Sequence, residues 1–126
     1  MKRLWIGIVL LLLVPVVGIY LSMTFRTALE PLGEKAEAAA AAALQDDWET
    51  ASALTRQARA DWDRFRDFGA AMADHEPLEE MDSVFARLEI LCQLCSAEAF
   101  AAECAQLRQA AAALVDSQAV TWWSLL

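Results

Sequence analysis

Hydrophobic and polar positions alternate differently in two parts of the chain. From Leu4 to Met23, twenty consecutive residues carry no charge, and Ser22 is the main polar interruption. Beyond Arg26 the apolar residues thin out and recur at intervals of three and four, the period of one helix face. Trp48, Ala51, Thr55, Ala58, Trp62, Phe65, Gly69 and Met72 form one such stripe. Leu78, Met81, Phe85, Leu88, Cys92 and Cys95 form a second, and Phe100, Cys104, Leu107, Ala111 and Leu114 a third.

Breaks between the stripes fix the elements. Thr27–Leu44 reads as a first helical piece with Pro31 in its first turn, where a missing N–H is harmless. Gln45-Asp46-Asp47 interrupts it, and Asp46 with Glu49 resembles a capping box for a helix from Asp47 to Ala73. Asp74-His75-Glu76-Pro77 is the next break, with Pro77 as the first helical position. Ser96 caps a fourth helix that carries Glu98 in its first turn and ends near Asp116-Ser117. Val120–Leu126 then forms a short apolar tail. The expected fold is all-α: one N-terminal transmembrane helix plus a small antiparallel bundle of three to four helices, divided at 1–26 and 27–126.

Twenty helical residues rise about 30 Å, the thickness of a bilayer core. Trp5 and Tyr20 stand near opposite ends of the run, as interfacial aromatics do. A cleaved signal peptide is the rival reading, but its apolar region is shorter, about 7–15 residues, and Val16-Val17-Gly18 is the best cleavage site on offer. An uncleaved anchor is the expectation. Lys2 and Arg3 precede the run and only Arg26 closely follows it, which puts the N-terminus in the cytoplasm and the bundle outside.

Composition sharpens this picture. The chain has 126 residues, 26 of them Ala, with four Gly and three Pro, which argues against β-sandwiches, disulfide scaffolds and disorder. Net charge is −8, and from Thr27 onward seven basic residues face 18 acidic ones. That balance argues against nucleic acid as a partner.

Three features carry candidate chemistry. Asp74, His75, Glu76, Glu79, Glu80 and Asp82 form a local cluster around the second break. With Asp63 or Asp67 it could reach toward a metal, but the chain has a single His, and bundle sites typically use Glu-x-x-His pairs from two helices. The favoured reading has Asp74 and His75 capping the junction and holding the second and third helices in register, with no metal and no cofactor. Cys92, Cys95 and Cys104 read as packed thiols, with a disulfide or redox role as the alternative. Trp122 and Trp123 read as a partner anchor, as an interfacial membrane contact, or as a tail folded over the bundle. No nucleophile triad or phosphate loop can be drawn, so a non-enzymatic protein is expected.

Asp47-Trp48-Glu49, Trp62, Asp74-His75-Glu76, Leu78-Glu79, Met81-Asp82 and Ala86-Arg87-Leu88 together resemble a bacterial family of unknown function. Its members are short proteins with one N-terminal membrane helix, a Trp-containing middle helix and a His-Glu segment before an Ala-Arg-Leu helix. Neighbouring genes often encode small multi-pass membrane proteins, so the resemblance implies a multi-pass membrane partner. This chain departs from the pattern in being Ala-rich and acidic where Lys-rich helices are expected, and in its three Cys. The leading expectation is a membrane-anchored accessory protein that docks through its bundle or its Trp tail, as a monomer or a homo-oligomer. The alternative is a metal- or redox-responsive sensor using His75, the nearby carboxylates or the cysteines.

Overall fold

A computed structural model describes the backbone of residues 1–72 and 75–124 and the side chains of residues 1–67 and 76–116. Four helices follow one another: α1 Lys2–Leu44, α2 Trp48–Met72, α3 His75–Gln93 and α4 Ala97–Ser124. No strand occurs among the described residues.

The apolar run and the first bundle helix are a single helix of 43 residues, about 65 Å long at 1.5 Å per residue. Pro31 is therefore not in a first turn; it and Pro15 both lie inside α1. Each lacks a backbone N–H and removes one rung of the ladder. At Pro31 the lost rung is offset by burial on either side, since Leu29 and Leu32 are both in the core. The N-terminal half of α1 is long and apolar enough to cross a membrane by length and composition, and 11% of its most apolar window is buried. Burial begins at Gly18 and Leu21 and continues through Phe25, Leu29, Leu32, Gly33, Ala36, Ala39 and Ala43.

Two tight turns are built alike. Asp46 has φ 63° and Cys95 φ 52°, the left-handed conformation that ends many helices. The N–H of Asp47 reaches back to the carbonyl of Ala42 (2.9 Å) and that of Asp46 to Ala43 (3.0 Å). Likewise Ser96 donates to Leu91 (3.2 Å) and Cys95 to Cys92 (3.2 Å). In both turns the next residue opens the following helix: Ala51 N–H donates to the Asp47 carbonyl (3.1 Å) and Phe100 N–H to that of Ser96 (2.9 Å). The α2 cap is Asp47, whose carboxylate accepts from the Thr50 N–H at 3.3 Å. The expected Asp46–Glu49 box does not form, because Asp46 is committed to the left-handed position and accepts from Trp48 Nε1 (2.9 Å).

Such short turns force antiparallel neighbours. α1 packs on α2 and α4, and α3 packs on α2 and α4, while among the described residues the backbones of the diagonal pairs stay apart. The three stripes face inward over their described residues: Ala51, Ala58, Trp62 and Phe65 from α2, Leu78, Met81, Phe85 and Leu88 from α3, and Phe100, Cys104, Leu107, Ala111 and Leu114 from α4 are buried; the side-chain positions of Gly69 and Met72 lie outside the described residues. Val84, outside the expected stripe, is fully buried too. Trp62 is the largest side chain with no exposure. Aromatic edges knit the helices together, with Phe25 on Phe65 (5.0 Å) and Trp48 on Phe100 (5.5 Å). Small residues bring α1 and α4 close: a Cβ at Gly33 would already lie 3.6 Å from the Arg108 stem.

Candidate functional site

Among the described residues, Asp82 at the α2–α3 seam is the one member of the expected acidic cluster tied to another helix by a charge pair. Asp82, on the second turn of α3, points across to α2. Its Oδ1 accepts from Trp62 Nε1 (2.8 Å) and its Oδ2 from Arg66 Nε (2.9 Å). A half-buried carboxylate thus satisfies the one polar atom of a fully buried indole, as a buried N–H requires. Glu76 and Glu79 are solvent-exposed and do not converge with Asp82. Glu80 is also exposed and lies 3.5 Å from Gln106 Nε2. Asp74 and the side chain of His75, and with them the capping role expected of the pair, lie outside the described residues. Among the described residues no three His, Cys, Asp or Glu side chains come together in a group able to hold a metal. Pro77 lies in the first turn of α3, two residues after its start at His75, where the N–H groups have no intrahelical partner anyway.

Among the described residues, each of the four seams carries one cross-helix ion pair. Lys35 meets Asp61 between α1 and α2, and Arg66 meets Asp82 between α2 and α3. Arg87 meets Glu103 (3.1 Å) between α3 and α4, and Arg108 meets Glu37 (2.9 Å) between α4 and α1. Asp61 also accepts from Arg64 one turn away. Burial pushes the Asp61 carboxyl up, but the hydrogen bonds from Lys35 and Arg64 and their charges outweigh it and hold the group below the usual carboxylate range. The two exposed pairs, Arg87–Glu103 and Arg108–Glu37, contribute little individually, about 0–1 kcal/mol. The distribution of all four pairs matters more, since it matches each helix to two specified neighbours.

The cysteines separate. Cys104 is buried, Cys92 half-buried and Cys95 exposed, and all three are free thiols. Cys95 does not continue the α3 stripe, because α3 ends at Gln93 and Cys95 is the left-handed turn residue. Burial, then Glu103 and Cys92, pushes the Cys104 thiol up to about 12. Such a thiol stays protonated at neutral pH and is a poor nucleophile.

Open grooves run along two seams. One, of about 300 Å³ between α2 and α3, is lined by Ser52, Thr55, Arg56, Arg59, Phe85 and Cys92, with Arg59 over the Phe85 ring at 5.9 Å. Another, of about 440 Å³ between α1 and α4, is lined by Leu29, Gly33, Glu34, Arg108, Ala111 and Val115. Both are shallow seams between helices.

Trp122 and Trp123 are not in a tail. α4 continues past Asp116-Ser117 to Ser124, since Ser117–Ser124 contains no Gly or Pro to break a helix. The side chains of both Trp lie outside the described residues.

The signals missed in the sequence were cross-helix ones. Asp61 with Arg64 and Trp62 with Arg66 sit at helical spacing on α2, but their partners Lys35 and Asp82 are remote in the chain.

The DUF4363 family profile, that of a domain of unknown function, matches residues 19–124. The chain belongs to this family. No curated protein and no solved structure matches it.

Proposed function

We propose that this DUF4363 protein is a non-enzymatic, single-pass membrane protein that holds a rigid helical bundle upright outside the membrane as a docking module for a multi-pass membrane partner. One observation carries the reading: α1 passes without interruption from an exposed apolar half into the bundle core. Leu4–Val14, Val16 and Val17 are all exposed, a cost in water that lipid removes. No flexible linker intervenes, so the anchor fixes the bundle's height and tilt as well as its local concentration. Lys2 and Arg3 before the apolar run favour an extracytoplasmic bundle.

Support for a binding rather than a catalytic role comes from how the polar groups are used. Asp61, Asp82, Glu37 and Glu103 are engaged in cross-helix pairs, and the buried thiol is held protonated.

Cys95 offers a direct test, since it is exposed at the end of the bundle opposite the apolar run. A membrane-impermeant maleimide added to intact cells should label it. The protein should remain with membranes at alkaline pH, and purification in mild detergent should yield one multi-pass protein in stoichiometric amount. Labelling only after lysis would put the bundle in the cytoplasm. Release from the membrane would mean that the apolar run is a cleaved signal. A monomer or homodimer with no companion would remove the docking role.

A further inference from the structure

Pro15 lies inside the apolar half of α1 and has no N–H, so the Leu11 carbonyl loses the donor that position 15 would supply. Pro31 does the same to the Thr27 carbonyl. Thr27, however, is exposed beyond Arg26, where water donates. Leu11 has no such recourse. It stands near the middle of the charge-free run Leu4–Met23, and hydrocarbon offers no hydrogen-bond donor.

The helix period sets the side on which this carbonyl opens. Eighteen residues make about five turns, so each position in the bundle half of α1 stands directly above the position eighteen before it. Buried Phe25, Leu29, Gly33 and Ala36 stand above Gly7, Leu11, Pro15 and Gly18. Exposed Thr27, Glu30 and Glu34 stand above Val9, Leu12 and Val16. The face that α1 turns toward its own bundle therefore continues downward as the face of Leu11 and Pro15. Below Pro15 nothing among the described residues covers it. Leu4–Val14 are exposed, and a Cβ at Gly7 would meet nothing within 4 Å.

We infer that the Gly7–Leu11–Pro15 face of α1 is seated against a membrane-spanning helix of another protein, which presents a hydroxyl or amide donor to the Leu11 carbonyl. This rests on the docking reading above and carries the contact from the bundle into the membrane. Both lie on the same side of α1, so the partner helix stands directly under the bundle. A second copy of this chain does not fit. The side-chain donors within its run are Trp5, Tyr20 and Ser22. In a side-by-side pair of the same orientation, the nearest of them stand about 9 Å below and about 14 Å above Leu11, and positions 11–15 carry no side-chain donor.

The test places the photoreactive residue benzoylphenylalanine, one position at a time, in the full-length chain in membranes of its own cells. Illumination should join the chain to one other protein from Leu11 and Val14, which stand below buried Leu29 and Leu32, and not from Val9, Leu12 or Val16. The joined peptide, sequenced by mass spectrometry, should be a membrane-spanning segment with Ser, Thr, Asn, Gln or Trp at the contact. Pro15→Ala returns an N–H to the Leu11 carbonyl and should lower the yield from Val14 about three- to tenfold, the effect of one hydrogen bond between membrane helices. Gly7→Ile obstructs the same face without touching the proline and should lower it as well, whereas Val16→Ala should not. Equal yields from both faces, a joined segment without a donor, a yield unchanged by Pro15→Ala, or products joining two copies of this chain would each overturn the inference. Products from probes at exposed Ile90 or Leu94 with none from the apolar run would overturn it and leave the docking reading standing. No product from either region would remove both.

Discussion

Left-handed backbone at Cys95 is the clearest strain in the molecule at the level of one residue. An L-residue with a Cβ pays about 1–2 kcal/mol there, and glycine does not. Cys95 is exposed and its thiol makes one long contact, 3.7 Å to the Cys92 carbonyl. Cys95→Gly should therefore stabilise the bundle by about 1 kcal/mol, seen as a higher urea midpoint at unchanged slope. Asp46 occupies the equivalent position but holds the Trp48 indole N–H, so Asp46→Gly should gain less. Asp61 sets a pH dependence. Its carboxyl is held below the usual range by Lys35 and Arg64 in the folded state only. On acidification the unfolded chain takes up the proton first. The stabilisation is thus complete above about pH 4 and declines as pH falls through the folded value. Asp61→Asn should lower stability at pH 7 and flatten the loss between pH 5 and pH 3, as urea midpoints at the three pH values will reveal.

Between helices, the contact that decides most is Trp62 on Asp82. Asp82→Ala leaves a fully buried indole N–H without an acceptor, a loss of about 1–3 kcal/mol. Arg66→Ala removes a 43%-exposed partner from the same carboxylate and should cost under about 1 kcal/mol. Chemical denaturation of the two variants measures the difference directly; equal losses would show that the ion pair, not the indole, is the stabilising contact. The inward faces of α2, α3 and α4 were legible in the sequence because large apolar residues recur at one period, although that period missed buried Val84 and does not account for Ile90 and Leu94, which are exposed. Helix ends were less so. Asp46 and Asp47 are both good caps, and only the left-handed turn that ends α1 decides between them. The continuity of α1 was hidden by Pro31, which normally signals a start, and by the change from Leu-rich to Ala-rich composition. Asp116-Ser117 looked like a stop because Asp and Ser favour helix ends, yet neither prevents the helix from continuing. The acidic cluster was legible only as composition; that Asp82 turns inward while Glu76 and Glu79 face water depends on which side of α3 meets Trp62.

At the scale of the whole molecule, the question is whether the apolar half of α1 belongs to the fold or is only carried by it. Every buried residue lies at Gly18 or beyond, and no side chain between Leu4 and Val17 reaches the core. Deleting Lys2–Val17 should therefore leave a cooperatively folded four-helix bundle. New N–H groups without partners at the shortened end of α1 will fray its first turn. That costs about 1 kcal/mol or less, a fall in melting temperature of roughly 5 °C for a domain of this size. The measurement is a thermal melt by circular dichroism of the truncated and full-length chains in the same detergent. A truncated chain that melts without cooperativity would mean that the apolar half props the bundle through contacts along α1, and the anchor would then be a structural element of the domain. A cooperative melt near the full-length value separates the two jobs of α1: its first half supplies position, and its second half supplies one wall of the core.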